Sequence, residues 1–282
     1  MRKLVLFLIL FLAPNLVFGS DFKKIKKKAT VNKQEIIFPI PKELNKCITS
    51  SYVNIVTNPV KPLLKVDAPS GYGLDNRFER ALRKFDSFKR PCGGGNVEAC
   101  KNVKKIILDW AKSDAAQRTG PSDNEGRHWN DTLTVNLWVA SPMMAGYSFA
   151  KQVIDIPKDE DKIIKDWFQK IVKKNKHLMY DSTYKDGTQA KGVPKRAHNH
   201  ALSSAISHMQ LGVLLADDKF FRKAFKNYEA AIKYQRKDGS MPIETRRGGR
   251  AMFYQGRAMN ALSVIAIIAE NQGYNILSLI HI

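Results

Sequence analysis

Acidic residues are scarce in this chain. Against 47 Lys and Arg stand 26 Asp and Glu in 282 residues, a formal charge of +21. An excess of that size points the surface field toward a polyanionic partner. Cysteine is scarcer still, at three residues. None of Cys47, Cys92 and Cys100 sits in a nucleophile setting, so cysteine catalysis is set aside. After residue 19 no apolar run is long enough to cross a bilayer. No alternating strand pattern intervenes, which argues against a sheet-based domain. No 34- or 40-residue period is present either, and that weakens a solenoid.

What is present begins with residues 1–19. Arg2 and Lys3 precede an apolar run that is interrupted by Pro14 and Asn15 and followed by Gly19 and Ser20. This has the form of a secretory signal peptide and predicts a periplasmic or secreted protein with no stable membrane span after cleavage. Export makes an acidic polysaccharide a better polyanion than nucleic acid. It also suits an oxidising compartment with one disulfide and one free thiol. Cys92 and Cys100 flank a glycine run and could close a small loop, but pairing of either with Cys47 is equally open.

Residues 20–70, rich in Pro and Lys, read as an irregular arm, with Lys24, Lys26, Lys27 and Lys28 as a solvated leader. From about residue 71 the apolar spacing becomes helical. Stripes run through Phe78, Leu82 and Phe85; Val103, Ile107 and Trp110; Ile163, Ile164, Trp167 and Phe168; Leu202, Ile206 and Met209; Phe221, Phe225 and Tyr228; and from Met252 to Ala269. The aromatic and Met residues of these stripes are expected in the core. Successive antiparallel helices of this number give an all-α fold: a compact bundle, a solenoid, or hairpins arranged in a ring. The apolar run at residues 275–282 ends without a cap, so the helical domain, 71–282, reads as truncated at its C-terminus or as carrying a non-native tail.

Two segments carry chemistry. In the first, Asn199 and His200 open a helical run, where donors can converge on an anion; a simple helix cap is the plainer reading of that pair alone. His198 and His200 form a His-x-His pair, but no Asp, Glu or Cys completes a metal set, so neither metal nor cofactor is expected. In the second, Gly248 and Gly249 place Arg247 in the loop entering a helix, from which it can fold back toward Tyr254. Arg250 and Arg257 flank that tyrosine by four and three residues. An amide, an imidazole, a guanidinium and a phenol meet the needs of β-elimination from a uronate: neutralise the carboxylate, remove the C5 proton, protonate the leaving 4-oxygen.

The run Asp238-Gly239-Ser240-Met241-Pro242-Ile243-Glu244, then Arg247-Gly248 and Arg250-Ala251-Met252-Phe253-Tyr254, resembles the signature of alginate lyases of polysaccharide lyase family five. Asn199-His200 matches that family's Asn-Asn-His motif upstream. The resemblance covers about residues 70–274. It implies an (α/α) toroid, or an incomplete helical barrel of antiparallel helix pairs, acting as a monomer on alginate. Catalytic roles fall to Asn199, His200 and Arg247 as neutralisers and to Tyr254 as acid and, for mannuronate, base. His200 is the alternative base for the C5 epimer. Substrate binding falls to Trp129, His128 and Arg250. Three departures bear on the subsites: His198 replaces the first Asn, residues 201–203 lack the aromatic pair that commonly follows, and Gln255 replaces the His after Tyr254.

Rival readings remain. Glycosaminoglycan lyases have similar constellations but commonly add a β-sandwich, for which this chain has no room. A glycoside hydrolase needs two carboxyl groups, with Glu244, Asp155, Asp161 and Asp181 as candidates. A non-catalytic polyanion binder needs only the charge.

Overall fold

The computed structural model describes residues 22–40, 62, 65–66, 76–116, 118–119, 135–174 and 192–277. The elements run α1 (22–28), β1 (Lys65–Val66), α2 (Asn76–Gly93), α3 (Val97–Lys112), β2 (Arg118–Thr119), a π-helical turn (Val135–Ala140) and α4 (Ser141–Val153). Then follow α5 (Lys158–Lys174), α6 (Asn199–Leu215), α7 (Asp218–Tyr234), α8 (Pro242–Thr245) and α9 (Ala251–Asn271). The strands are a two-residue parallel pairing, Lys65 opposite Arg118 and Val66 opposite Thr119, and the architecture is all-α. None of the described helices is long and apolar enough to cross a membrane.

Helix ends follow from local chemistry. Asn96 caps α3 by accepting from the Ala99 N–H at 2.8 Å, and Asp217 caps α7 by accepting from Lys219 and Phe220 at 2.8 and 3.1 Å. Each satisfies backbone donors that the first turn leaves orphaned. A disulfide joins Cys92 near the end of α2 to Cys100 in α3, which selects one of the pairings open in sequence; Cys47 lies outside the described residues.

Helix α6 is the centre. Every residue from Asn199 to Leu214 is buried, and α4, α5, α7, α9 and the π-helical turn all pack against it. A helix surrounded on all sides has no polar stripe to present. Small residues at Ala201, Ser203, Ser204, Ala205, Ser207 and Gly212 let its neighbours approach. At Gly212 the approach is closest: a Cβ there would lie 2.4 Å from the Phe221 backbone nitrogen and 2.7 Å from its Cα. Gly212→Ala should therefore push α7 away and cost about 1–3 kcal/mol by overpacking, read as a shifted midpoint in denaturant unfolding with an unchanged slope.

Part of the stretch expected as an irregular arm is helical. Residues 22–28 are helical because Phe22, Ile25 and Ala29 share one face among the lysines; Phe22 and Ala29 are buried against the core, and Ile25 packs on it. Lys26 pairs with Glu229 of α7, while Lys24, Lys27 and Lys28 stay exposed. Residues 29–40 then strap the helices together. Gln272 accepts from the Asn32 and Lys33 N–H groups at 2.9 and 2.7 Å and donates to the Lys33 and Ile36 carbonyls. Ile37, fully buried, donates to Ser148 Oγ at 2.9 Å. Glu35 pairs with Lys151 and Lys165, which also bind Asp161.

His208, on α6, is buried beside Phe220, with its Nδ1 on the Ser204 carbonyl at 2.9 Å. Burial, with Lys223 adding to it, lowers its pKa to about 4. The unfolded chain, with an ordinary His value of about 6.5, binds a proton that the fold refuses, so stability present above pH 6.5 is lost as pH falls toward 4. His198 and His200 shift in the same direction. Thermal midpoints should drop across that window, and His208→Gln should flatten the drop.

Candidate active site

Three segments converge at the N-terminal end of α6. The first is the 3-10 turn Lys195–Ala197, tied down by Asn227 Nδ2, which donates to the Arg196 carbonyl at 3.2 Å and the Ala201 carbonyl at 3.1 Å. Because those two acceptors bracket Asn199, the start of α6 is clamped. The second is α8, which carries Glu244. The third is the 3-10 turn Gly248–Arg250 leading into α9, with Arg247 immediately before it and Tyr254 in the helix's first turn.

Glu244 links the first two segments. Its carboxylate, fully buried, accepts from the Asn199 backbone N–H at 2.8 Å and from Asn199 Nδ2 at 2.7 Å. The anion expected at this helix start is thus an internal one. Burial pushes the Glu244 carboxyl up, against the lowering pull of the Asn199 hydrogen bonds and of Arg247 and Arg246. Nearby, Arg247 Nη1 lies 3.7 Å from Glu244 Oε2, too long for a hydrogen bond, and it has no hydrogen-bond partner among the described residues. A buried donor left without an acceptor calls for an explanation.

The Arg247 guanidinium carbon lies 3.7 Å from the centre of the Tyr254 ring, as its place in the entering loop predicts. Tyr254 is 5% exposed and His200 7%. Burial first, then the charges of Arg247 and Arg257, lower the His200 pKa to about 3, so its imidazole is neutral across the physiological range. His198 packs edge-on against it with ring centres 4.5 Å apart and accepts the His200 N–H through Nδ1 at 3.2 Å. That nitrogen is spent as a cap, and among the described residues no group of three or more His, Cys, Asp or Glu is placed to hold a metal.

Asn199, His200, Arg247 and Tyr254 therefore share one site. Arg250 lies exposed in the 3-10 turn beside it. Trp129 and His128 fall outside the described residues. Gln255, the departure from the family's His, donates to the Gly239 carbonyl at 3.0 Å and accepts from the Met241 N–H at 2.9 Å, fixing the loop before α8 onto α9. Met252 and Phe253, expected in the core, are 83% and 58% exposed. They sit on the outer side of the turn that buries Tyr254. Glu244 is the residue whose part in the site the sequence reading missed: it stood inside the quoted motif and was offered only as a carboxyl group for the hydrolase alternative. Its only local signal was a carboxylate three residues before Arg247.

The hydrolase pairing loses support from the same geometry. Burial pushes the Asp161 carboxyl up, but its contacts with Lys165, Tyr147 and Lys151 together outweigh that and hold it below the usual carboxylate range. It has no proton to give at neutral pH.

A profile of the alginate lyase family matches residues 67–279. The chain belongs to the alginate lyase family. An alginate lyase of Pseudomonas syringae pv. syringae is 27% identical over 188 residues, 64% of this chain and 45% of its own length. One from Cobetia marina is 26% identical over the same extent. The chain thus spans about half the length of these curated relatives. Among solved structures, alginate lyase A1-III from Sphingomonas species A1 superposes with a TM-score of 0.61 at 18% identity, covering 89% of this chain and 74% of that one. A variant of A1-III complexed with tetrasaccharide gives 0.62 at 16% identity, covering 89% and 73%. At that identity the likeness concerns the fold, an (α/α) toroid of antiparallel helix pairs, with α6 as its buried inner helix.

Proposed function

We propose that this chain is an exported alginate lyase that prefers polymannuronate and cleaves by β-elimination, leaving 4,5-unsaturated uronate ends. The observation that carries the reading is the Arg247 guanidinium stacked on Tyr254, beside a neutral His200 and an Asn199 held by Glu244. In this mechanism Arg247 and Asn199 take the uronate carboxylate, so that charge moving from C5 into the enolate-like transition state meets donors already in place. The donor of Arg247 that lacks an acceptor would be satisfied by that carboxylate.

Tyr254 then removes the C5 proton and returns a proton to the departing 4-oxygen. His200, with so low a proton affinity, is a weak base. That favours the epimer for which Tyr254 serves as base, and hence mannuronate over guluronate. The apolar run at residues 1–19 supports export, as does the Cys92–Cys100 disulfide; the helical body beyond residue 71 is proposed as a monomeric catalytic domain.

Incubation with polymannuronate and polyguluronate blocks while following ultraviolet absorbance tests the whole reading. Absorbance should rise with both time and enzyme, and faster on polymannuronate. New reducing ends without absorbance would mean hydrolysis, and binding without either would leave only a polyanion-binding protein.

A further inference from the structure

We infer that Arg257 and the cleft it borders form a second carboxylate-binding subsite, taking the uronate unit next to the one held at Arg247 and Tyr254. This rests on the lyase reading above. The cleft, about 310 Å³, lies between the start of α6, the π-helical turn and α9, and is lined by Leu137, Ser203, Ile206, Phe253, Arg257 and Asn260. Its place relative to the reacting groups follows from helix geometry. Arg257 is one turn beyond Tyr254 on α9, Ser203 is one turn beyond Asn199 on α6, and Phe253 meets Tyr254 edge-on with ring centres 5.3 Å apart. Arg257 is also near enough to His200 to depress its basicity.

The lining has the chemistry of a charged sugar. The Arg257 guanidinium carbon lies 4.9 Å from the Phe253 ring centre and 5.7 Å from that of Trp138, cation–π contacts that use none of its N–H groups as hydrogen-bond donors. Among the described residues no carboxylate pairs with it. A planar cation held this way fits a carboxylate with two parallel hydrogen bonds. Phe253, which lines the cleft, is 58% exposed and offers a flat apolar face to a pyranose ring, while Trp138, 37% exposed, stands behind Arg257 outside the lining. Asn260 adds a polar group able to reach hydroxyls. A site of one cation, one aromatic face and neutral polar groups suits an acidic saccharide better than a lipid or an apolar peptide.

The test is Arg257→Gln, with kinetics on polymannuronate and on mannuronate oligosaccharides of increasing length, read by ultraviolet absorbance. KM for polymer should rise about tenfold, in the range of one lost charge-assisted contact, while kcat falls far less. The penalty should shrink on the shortest substrate cleaved, which leaves the subsite empty. Arg257→Lys, keeping the charge without the fork, should recover only part of the loss. Lys105→Gln, the same charge change at an exposed position on α3, controls for the general field and should leave KM near native. An unchanged KM for Arg257→Gln, a loss confined to kcat, or an equal rise in Lys105→Gln would each overturn the subsite. Should the native chain cleave no polyuronate, the lyase reading fails instead. Calorimetry with mannuronate tetrasaccharide would then still decide the subsite, by whether Arg257→Gln weakens binding relative to the native chain.

Discussion

Tyr254→Phe should abolish turnover while the protein stays folded. The ring is buried and stacked by Arg247 at 3.7 Å, and phenylalanine preserves both its volume and its face toward the guanidinium. Only the phenolic oxygen goes. In the proposed mechanism that oxygen is the agent of two proton transfers, each of a kind worth about 10²- to 10⁴-fold. A fall in kcat of at least about 10³-fold is expected on that basis, with thermal midpoint and circular dichroism close to native. The measurement is the initial rate of absorbance increase on polymannuronate beside a melting curve. A folded Tyr254→Phe protein that still forms unsaturated ends at near-native rate would remove Tyr254 from the mechanism.

The second large effect belongs to Glu244. Glu244→Ala leaves the Asn199 backbone N–H and Nδ2 without their acceptor and deprives Arg247 of its only carboxylate within 4 Å among the described residues. Breaking a buried charged network from one side costs about 3–5 kcal/mol, a large share of a domain's net stability. Chemical denaturation should show that loss. Glu244→Gln keeps the shape and one acceptor oxygen but turns the other position into a donor facing Asn199 Nδ2. It should stay folded, with Asn199 released from its orientation and kcat reduced. Combining Glu244→Gln with Asn199→Ala should then cost little more than Asn199→Ala alone, because residues acting through one contact are not additive. Full additivity would mean that Glu244 supports the site by some other route.

Both predictions turn on residues seven to ten apart in one segment and forty-five from its partner, and this is where sequence and structure divide the work. Apolar residues three and four apart declared the helices, since that spacing is the geometry of a single helix and needs no knowledge of neighbours. It placed Trp110, Trp167, Phe168, Phe221 and Tyr228 in the core, where they are. Gly248 and Gly249 announced a loop ahead of Tyr254, and Arg247 does fold back from it. The motif residues declared the family.

Periodicity failed where burial is decided by what arrives from elsewhere. Ile163 lies beside the buried Ile164 on the same stripe yet is 36% exposed, because the neighbours of α5 cover only one edge of it. Met252 and Phe253 face outward because the turn that starts α9 gives its inner side to Tyr254. The lysine-rich run 22–28 hid its apolar face among charges, and only packing against α7 revealed it as a helix. No local pattern could tell that Glu244 would accept hydrogen bonds from Asn199, or that Arg257 would lie against two aromatic rings. Helix type is set within a few residues of chain, whereas the partner of a buried charge is set by which distant segment the fold brings within 3 Å.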